Sequence, residues 1–181
     1  MNKTKTLAAA LFAAATMTSA SAQSEKTGEA PTDFVNISGG YLFDIEEAYL
    51  YSSYVFAVDE NDFFGIESMI FSKNETLSSG GFTLDLDTDV ITIGAIYQVV
   101  GELSENDFWN YSLGGGVALY DVKGRTSTGS GNDSGASYYL GGSVGYERRL
   151  SDDFSFNTNL RLVHFGDETF EDDGVKLETD F

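Results

Sequence analysis

The chain has 181 residues, no cysteine, a single proline, twenty glycines and a formal net charge of −19. The lack of cysteine excludes a disulfide framework, and so acidic a chain is excluded as a nucleic-acid binder, because phosphate backbones are met by Lys and Arg. Aromatic residues make up 14% of it, a level that suits β-structure and excludes a disordered chain.

In chain order, MNKTK is followed by an apolar run from Leu7 to Ala15 and then by Ala20-Ser21-Ala22. A basic start, a short greasy middle and a small-residue end read as a secretory signal, so residues 1–22 are expected to be removed. The run is too short to cross a bilayer as a helix, and no second long apolar segment follows it. Loss of Lys3 and Lys5 takes the net charge to −21. Residues 23–33 are polar and aperiodic, the pattern of a flexible leader. The domain proper is 34–181, a single unit by length.

From Phe34 onward the dominant signal is alternation. Trp109, Tyr111, Leu113, Gly115, Val117 and Leu119 share one face, opposite Asn110, Ser112, Gly114, Gly116 and Ala118. Tyr138 to Tyr146 divides in the same way, and helical spacing fits neither stretch. The count gives eight strands, over 34–45, 47–58, 62–72, 83–100, 107–122, 136–150, 153–165 and 173–181. Connections are short at 59–61, 101–106 and 151–152 and longer at 73–82, 123–135 and 166–172, with 44–46 a short exception. Glycines in the Gly114 run are expected where strands pack closely and bend.

The stretches ENDFF (60–64) and ENDFW (105–109) belong to a wider recurrence. Asp33-Phe34, Asp62-Phe63, Asp107-Phe108 and Asp153-Phe154 each open a strand at the same end of the sheet. Phe34, Phe63, Phe108, Trp109, Phe154 and Phe181 are therefore expected to form an aromatic girdle there, bordered by acids.

Alternation leaves open which face is inside, since a soluble lipocalin-like barrel alternates too. The polar face decides it. Strand centres carry Ser112, Gly114, Gly116, Ser143, Gly145, Asn157 and Asn159 where a solvated sheet would carry long charged chains. Small polar groups suit a narrow interior. The apolar face, with Ile91, Ile93, Leu113, Val117, Leu140, Val144, Leu160 and Leu162, would then look outward, which is stable in lipid and aggregation-prone in water. The expected fold is all-β, an eight-stranded antiparallel up-and-down transmembrane β-barrel.

With these features the chain resembles the small outer-membrane barrels of Gram-negative bacteria, of the OmpA-transmembrane-domain and opacity-protein kind, over Phe34 to Phe181. The resemblance implies residence in the bacterial outer membrane among lipid and lipopolysaccharide. It also implies recognition by the barrel assembly machinery through the last strand, Val175 to Phe181, with Lys176 and Thr179 departing from the usual form of that signal.

The strand phase places Glu67, Glu147, Arg149, Arg161, Lys176, Glu178 and Asp180 inside, as a lumen charge network in which Arg161 faces Glu178. Buried ions need partners, so a salt-bridged plug is expected. Asp85, Asp87 and Asp89 share one face of an extended segment and form a candidate weak site for a divalent cation, although the spacing fails an EF-hand. Acids from Asp167 to Asp173 surround Phe170 in the last outer connection and are expected to be hydrated. The one histidine, His164, falls on the lipid-facing phase with no nucleophile or orienting acid beside it, so no enzyme is expected. No cofactor motif is present. The function expected is a non-enzymatic, membrane-stabilising and surface-presenting barrel; the alternative is a narrow porin-like channel for ions or small solutes.

Overall fold

The computed structural model describes residues 14–18, 33–43, 45–79, 82–151, 154–166, 168–172 and 175–179. Its strands are β1 (Ala14–Thr18), β2 (Asp33–Leu42), β3 (Glu47–Ala57), β4 (Asp62–Ser79), β5 (Phe82–Ser104), β6 (Asp107–Thr126), β7 (Ser130–Ser151), β8 (Phe154–Phe165), β9 (Glu168–Asp172) and β10 (Val175–Thr179). β1 to β8 form one antiparallel sheet in the order β1-β8-β7-β6-β5-β4-β3-β2, each strand from β2 to β8 paired with its chain neighbour. The sheet curls until β1 lies alongside β2. Antiparallel neighbours joined by short turns satisfy nearly every backbone group within the sheet, as alternation with tight turns dictates.

The strands from β4 to β7 are longer than the alternation predicts. β4 continues to Ser79 and pairs Ser78 with Thr83, and β7 begins at Ser130, pairing Gly131 with Gly124 and Asn132 with Lys123. Segments 73–79 and 123–135, expected as connections, are mostly ladder. Both faces turn hydrophilic there, so the period-2 signal fades while the backbone pairing persists. Thr126 closes the β6–β7 tip, its N–H donating to Gly129 O at 2.8 Å.

The final strand of the sheet is also different from the one expected. Position eight is taken by Ala14–Thr18, inside the presumed signal, with Ala14 opposite Asn159 and Thr18 opposite Ser155. Val175–Thr179 instead pairs with Glu168–Asp172 in a separate hairpin, Glu178 opposite Thr169. A ladder is made of backbone groups and accepts any extended segment of five residues, whatever its side chains. The expected opposition of Arg161 and Glu178 is therefore absent from this arrangement. Asp33, placed in the leader, opens β2.

The two faces separate as the alternation requires. Leu113 is 65% exposed on the outside and Leu140 58%, with Ile37, Leu50, Ile66, Ile93, Val117, Val144 and Leu162 beside them. Inside lie Asn36, Ser38, Ser53, Glu67, Thr92, Gln98, Asn110, Ser112, Asn157 and Arg161. Apolar clusters close this interior toward both ends. Val55, Phe63 and Ile96, with Phe34 and Val100, lie toward the short turns. Leu42, Tyr49, Met69, Phe71, Val90, Tyr120, Tyr139 and Phe165 lie toward the long hairpins.

Gly65 marks how tightly the wall is woven, since a Cβ there would overlap the Tyr54 carbonyl oxygen and the Val55 Cα. Neither backbone atom can move without disturbing the β3–β4 ladder. Gly65→Ala is expected to lower the unfolding free energy of the refolded protein by about 1–3 kcal/mol, read as an earlier urea midpoint.

Candidate functional site

The centre of the interior is one ion pair. Glu67, on β4, is 3% exposed and Arg161, on β8, 8%, and the guanidinium donates directly to Glu67 Oε2. Tyr51 OH donates to the same oxygen at 2.9 Å, and Tyr139 OH donates to Oε1 at 3.1 Å. The Arg161 guanidinium also lies 4.2 Å from the centroid of the Tyr51 ring. A carboxylate in a dry interior is tolerable only with its lone pairs occupied, and here a cation and two phenols occupy them.

Glycines make the room. A side chain at Gly114 would overlap the Glu67 carboxylate, and one at Gly94 the Tyr139 hydroxyl. The Tyr49 ring covers Gly40, and the amides of Asn159 and Asn110 fill the space over Gly145. Large plug residues on one part of the wall thus fit into bare backbone on another. Gly114 and Gly116 face inward, and the bend expected of the glycine run is secondary to this fit. Between the ion pair and the short turns is a polar cavity of about 20 Å³, room for about one water molecule. Asn36, Gln98, Asn110, Ser112 and Asn159 line it.

The remaining residues of the expected charge network are dispersed. Glu147 and Arg149 face inward at the short-turn mouth, half-buried, and Arg149 lies 4.7 Å over the Phe108 ring, away from Glu67. Lys176 and Glu178 are in the β9–β10 hairpin, opposite Glu171 and Thr169. Asp180 falls outside the described residues. Glu67 and Arg161, both on the inward phase, meet directly, and Tyr51 and Tyr139, which the sequence reading did not single out, complete the cluster. Both phenols sit on the inward phase, which is the signal that could have found them.

The girdle needs correction. Phe34, Phe63 and Phe108 all point inward, because the outward phase of β2, β4 and β6 falls on Asp33, Asp62 and Asp107 and on the residues two further along. Trp109 faces out, covering Gly101 and stacking on Tyr111 at 5.5 Å. The Phe154 side chain and Phe181 lie outside the described residues. The outward rings at this end are Tyr54, Phe56, Phe64, Tyr97, Trp109, Tyr111 and Tyr146, while Tyr41, Phe43, Tyr138 and His164 form a second band at the other end. From Tyr146 to Tyr138 along β7 is about 27 Å at 3.4 Å per residue. With a tilt of about 40°, that spans roughly 21 Å of height, close to the apolar band of a membrane barrel.

Asp85, Asp87 and Asp89 do not converge. Asp85 accepts from Thr76 at 2.7 Å, Asp87 lies 3.8 Å from Arg125, and Asp89 accepts from Ser72 at 2.6 Å with Lys123 at 3.6 Å. Among the described residues no group of three His, Cys, Asp or Glu side chains is arranged to hold a metal. His164 packs its ring 6.0 Å from that of Tyr138 on the outside.

No protein-family model matches the chain, and no curated protein does. Among solved structures it is similar to Ail, the attachment invasion locus protein of Yersinia pestis, with 11% identity over 87% of this chain and 95% of that one and a TM-score of 0.37. Ail in complex with the heparin analogue sucrose octasulfate aligns with 12% identity over 87% and 96% of the two chains, again with a TM-score of 0.37.

Removing one partner of a buried ion pair strands the other. Glu67→Ala is expected to cost about 3–5 kcal/mol in denaturant unfolding, and Glu67→Met with Arg161→Met together much less than the sum of the two single changes. On the outer hairpins, the Ser72 hydroxyl, then Lys123, holds the Asp89 carboxyl below its ordinary range. A depressed folded pKa adds stability above the unfolded value and loses it as pH falls through the folded one. Asp89→Asn is therefore expected to remove a small stability difference present at pH 7 and absent in strong acid, read from paired unfolding curves.

Proposed function

We propose that this chain is a non-enzymatic β-barrel of the bacterial outer membrane, which stabilises that membrane and presents acidic, hydrophilic hairpins outside it. The observation that carries the reading is the inversion of its faces. Leucine, isoleucine and valine cover the outside between two aromatic bands, while a glutamate and an arginine are buried within. In water such a belt would drive aggregation, and in hydrocarbon it is the stable surface. Lipid and the inner parts of lipopolysaccharide are its surroundings.

In the exported form, residues 1–22 are removed and 173–181 takes the position beside β8 that Ala14–Thr18 holds here, closing the barrel. The closing strand, ending in Phe181, is what the barrel assembly machinery reads. Glu178 and Lys176 would enter the lumen on that closure.

The interior supports a plug in preference to a channel, since apolar clusters lie on both sides of a tightly bonded ion pair. Two measurements test the reading. The expressed protein should fractionate with the outer membrane and migrate differently on gels before and after boiling, and the refolded protein should be silent in single-channel recording. Recovery in the soluble fraction without detergent would overturn the membrane reading. Steady conductance that changes with Arg161→Ala would replace the plug by a pore.

A further inference from the structure

At the short-turn end, one arrangement occurs in three successive hairpins. Tyr54 OH donates to Asp33 at 3.0 Å and Tyr146 OH donates to Asp107 at 2.5 Å, and Tyr97 stands in the same diagonal register to Asp62, close enough for the acid to act on its hydroxyl. The register is the same each time. Val35 stands opposite Tyr54, Phe64 opposite Tyr97 and Trp109 opposite Tyr146, so each tyrosine reaches diagonally to an acid two residues nearer the rim. All six groups face outward, at the lower edge of the apolar belt.

The three copies differ in what else meets the acid. Asp107 stands directly opposite Arg148, whose guanidinium is 3.8 Å from its carboxylate, and Ser104 donates to its second oxygen at 2.7 Å. Opposite Asp33 is Phe56, and opposite Asp62 is Val99. Among the described residues neither of these acids has an ion pair. Phe56 and Phe64 meet edge-on at 5.9 Å between them, so the two acids border one aromatic surface. One hairpin thus carries its own cation, and among the described residues no cation takes the equivalent position in the other two, which is flanked by ring faces that attract cations.

We propose that the Asp33–Tyr54 and Asp62–Tyr97 pairs bind the primary ammonium of zwitterionic phospholipid headgroups in the inner leaflet and disfavour anionic headgroups. The proposal rests on the lipid-facing reading of the belt. The chemistry follows from what the pairs offer. A tyrosine occupies one lone-pair direction of each carboxylate and fixes its orientation, and the remaining directions accept N–H donors. A phosphoglycerol headgroup brings only negative charge and hydroxyls to the same place. The acid is thereby placed at the depth where a phospholipid ammonium lies when the belt spans the acyl chains.

The test is native mass spectrometry of the refolded protein, released from bilayers of equal phosphatidylethanolamine and phosphatidylglycerol with matched chains. Retained lipid should be enriched in the ethanolamine form by about threefold or more. Asp33→Asn with Asp62→Asn should bring the ratio near parity while the boiling-dependent gel shift persists. Arg148→Ala, which vacates the third position without touching the first two, should raise ethanolamine retention, and this variant decides the matter if the double one fails to fold. Equal retention by the folded wild type, or an enrichment that neither change moves, would overturn the headgroup proposal alone. Failure of the wild type to enter bilayers would overturn the membrane reading instead.

Discussion

Interior width is the constraint on which this molecule depends. An eight-stranded sheet curled on itself leaves space for little more than its own inward side chains, so every large group inside requires a small one facing it. Glu67 fits because Gly114 is bare, and Tyr139 reaches Glu67 because Gly94 is bare. The ion pair with Arg161 then fixes β4 against β8, strands that share no ladder. Charge alone would be a poor reason for stability in such a place, since desolvation offsets most of the attraction. What the pair adds is specificity. With two phenols attached, it has one geometry, and a strand slipped by a single residue would turn its members out of the lumen.

The sequence carried the orientation of the faces legibly, because small polar residues at strand centres are incompatible with a solvated wall. The spans of β2, β3 and β8 were close to what alternation predicts, and the stretches 73–79 and 123–135, read as connections, are those where both faces become polar. The Asp-Phe repeats were recognised as equivalent positions but assigned to the wrong side. Counting back from Val35, Ile66 and Leu113 places the acids outward and Phe34, Phe63 and Phe108 inward, so the phase held the answer that rim position obscured. The partner of Arg161 was beyond reach for another reason. Sequence pairing rules connect neighbouring strands, and Glu67 meets Arg161 across the lumen, 94 residues away.

The repeats have a double use that explains why acid and ring are adjacent. In β2 and β4 the phenylalanine turns in to help close the interior, its neighbour the aspartate turns out, and a tyrosine from the next strand ties the acid down. Consecutive residues on a strand always serve opposite faces, so a dipeptide is the shortest way to write a plug and an interfacial anchor at one level. The turn that precedes β4 is held by backbone bonds from Val58 and Asp59 to the Asp62 carbonyl, which sets the height of both groups together.

The hairpins of β4 to β7 extend well past the belt. From Leu119 to Thr126 is about 24 Å of ladder at 3.4 Å per residue, cross-braced outside by Lys123 and Arg125. A stiff ribbon differs from a tether of equal length in how it meets another body. Its backbone freedom has already been surrendered during folding, so contact at the tip forfeits little further entropy, and weak complementary groups there suffice for capture where a floppy arm would need many more.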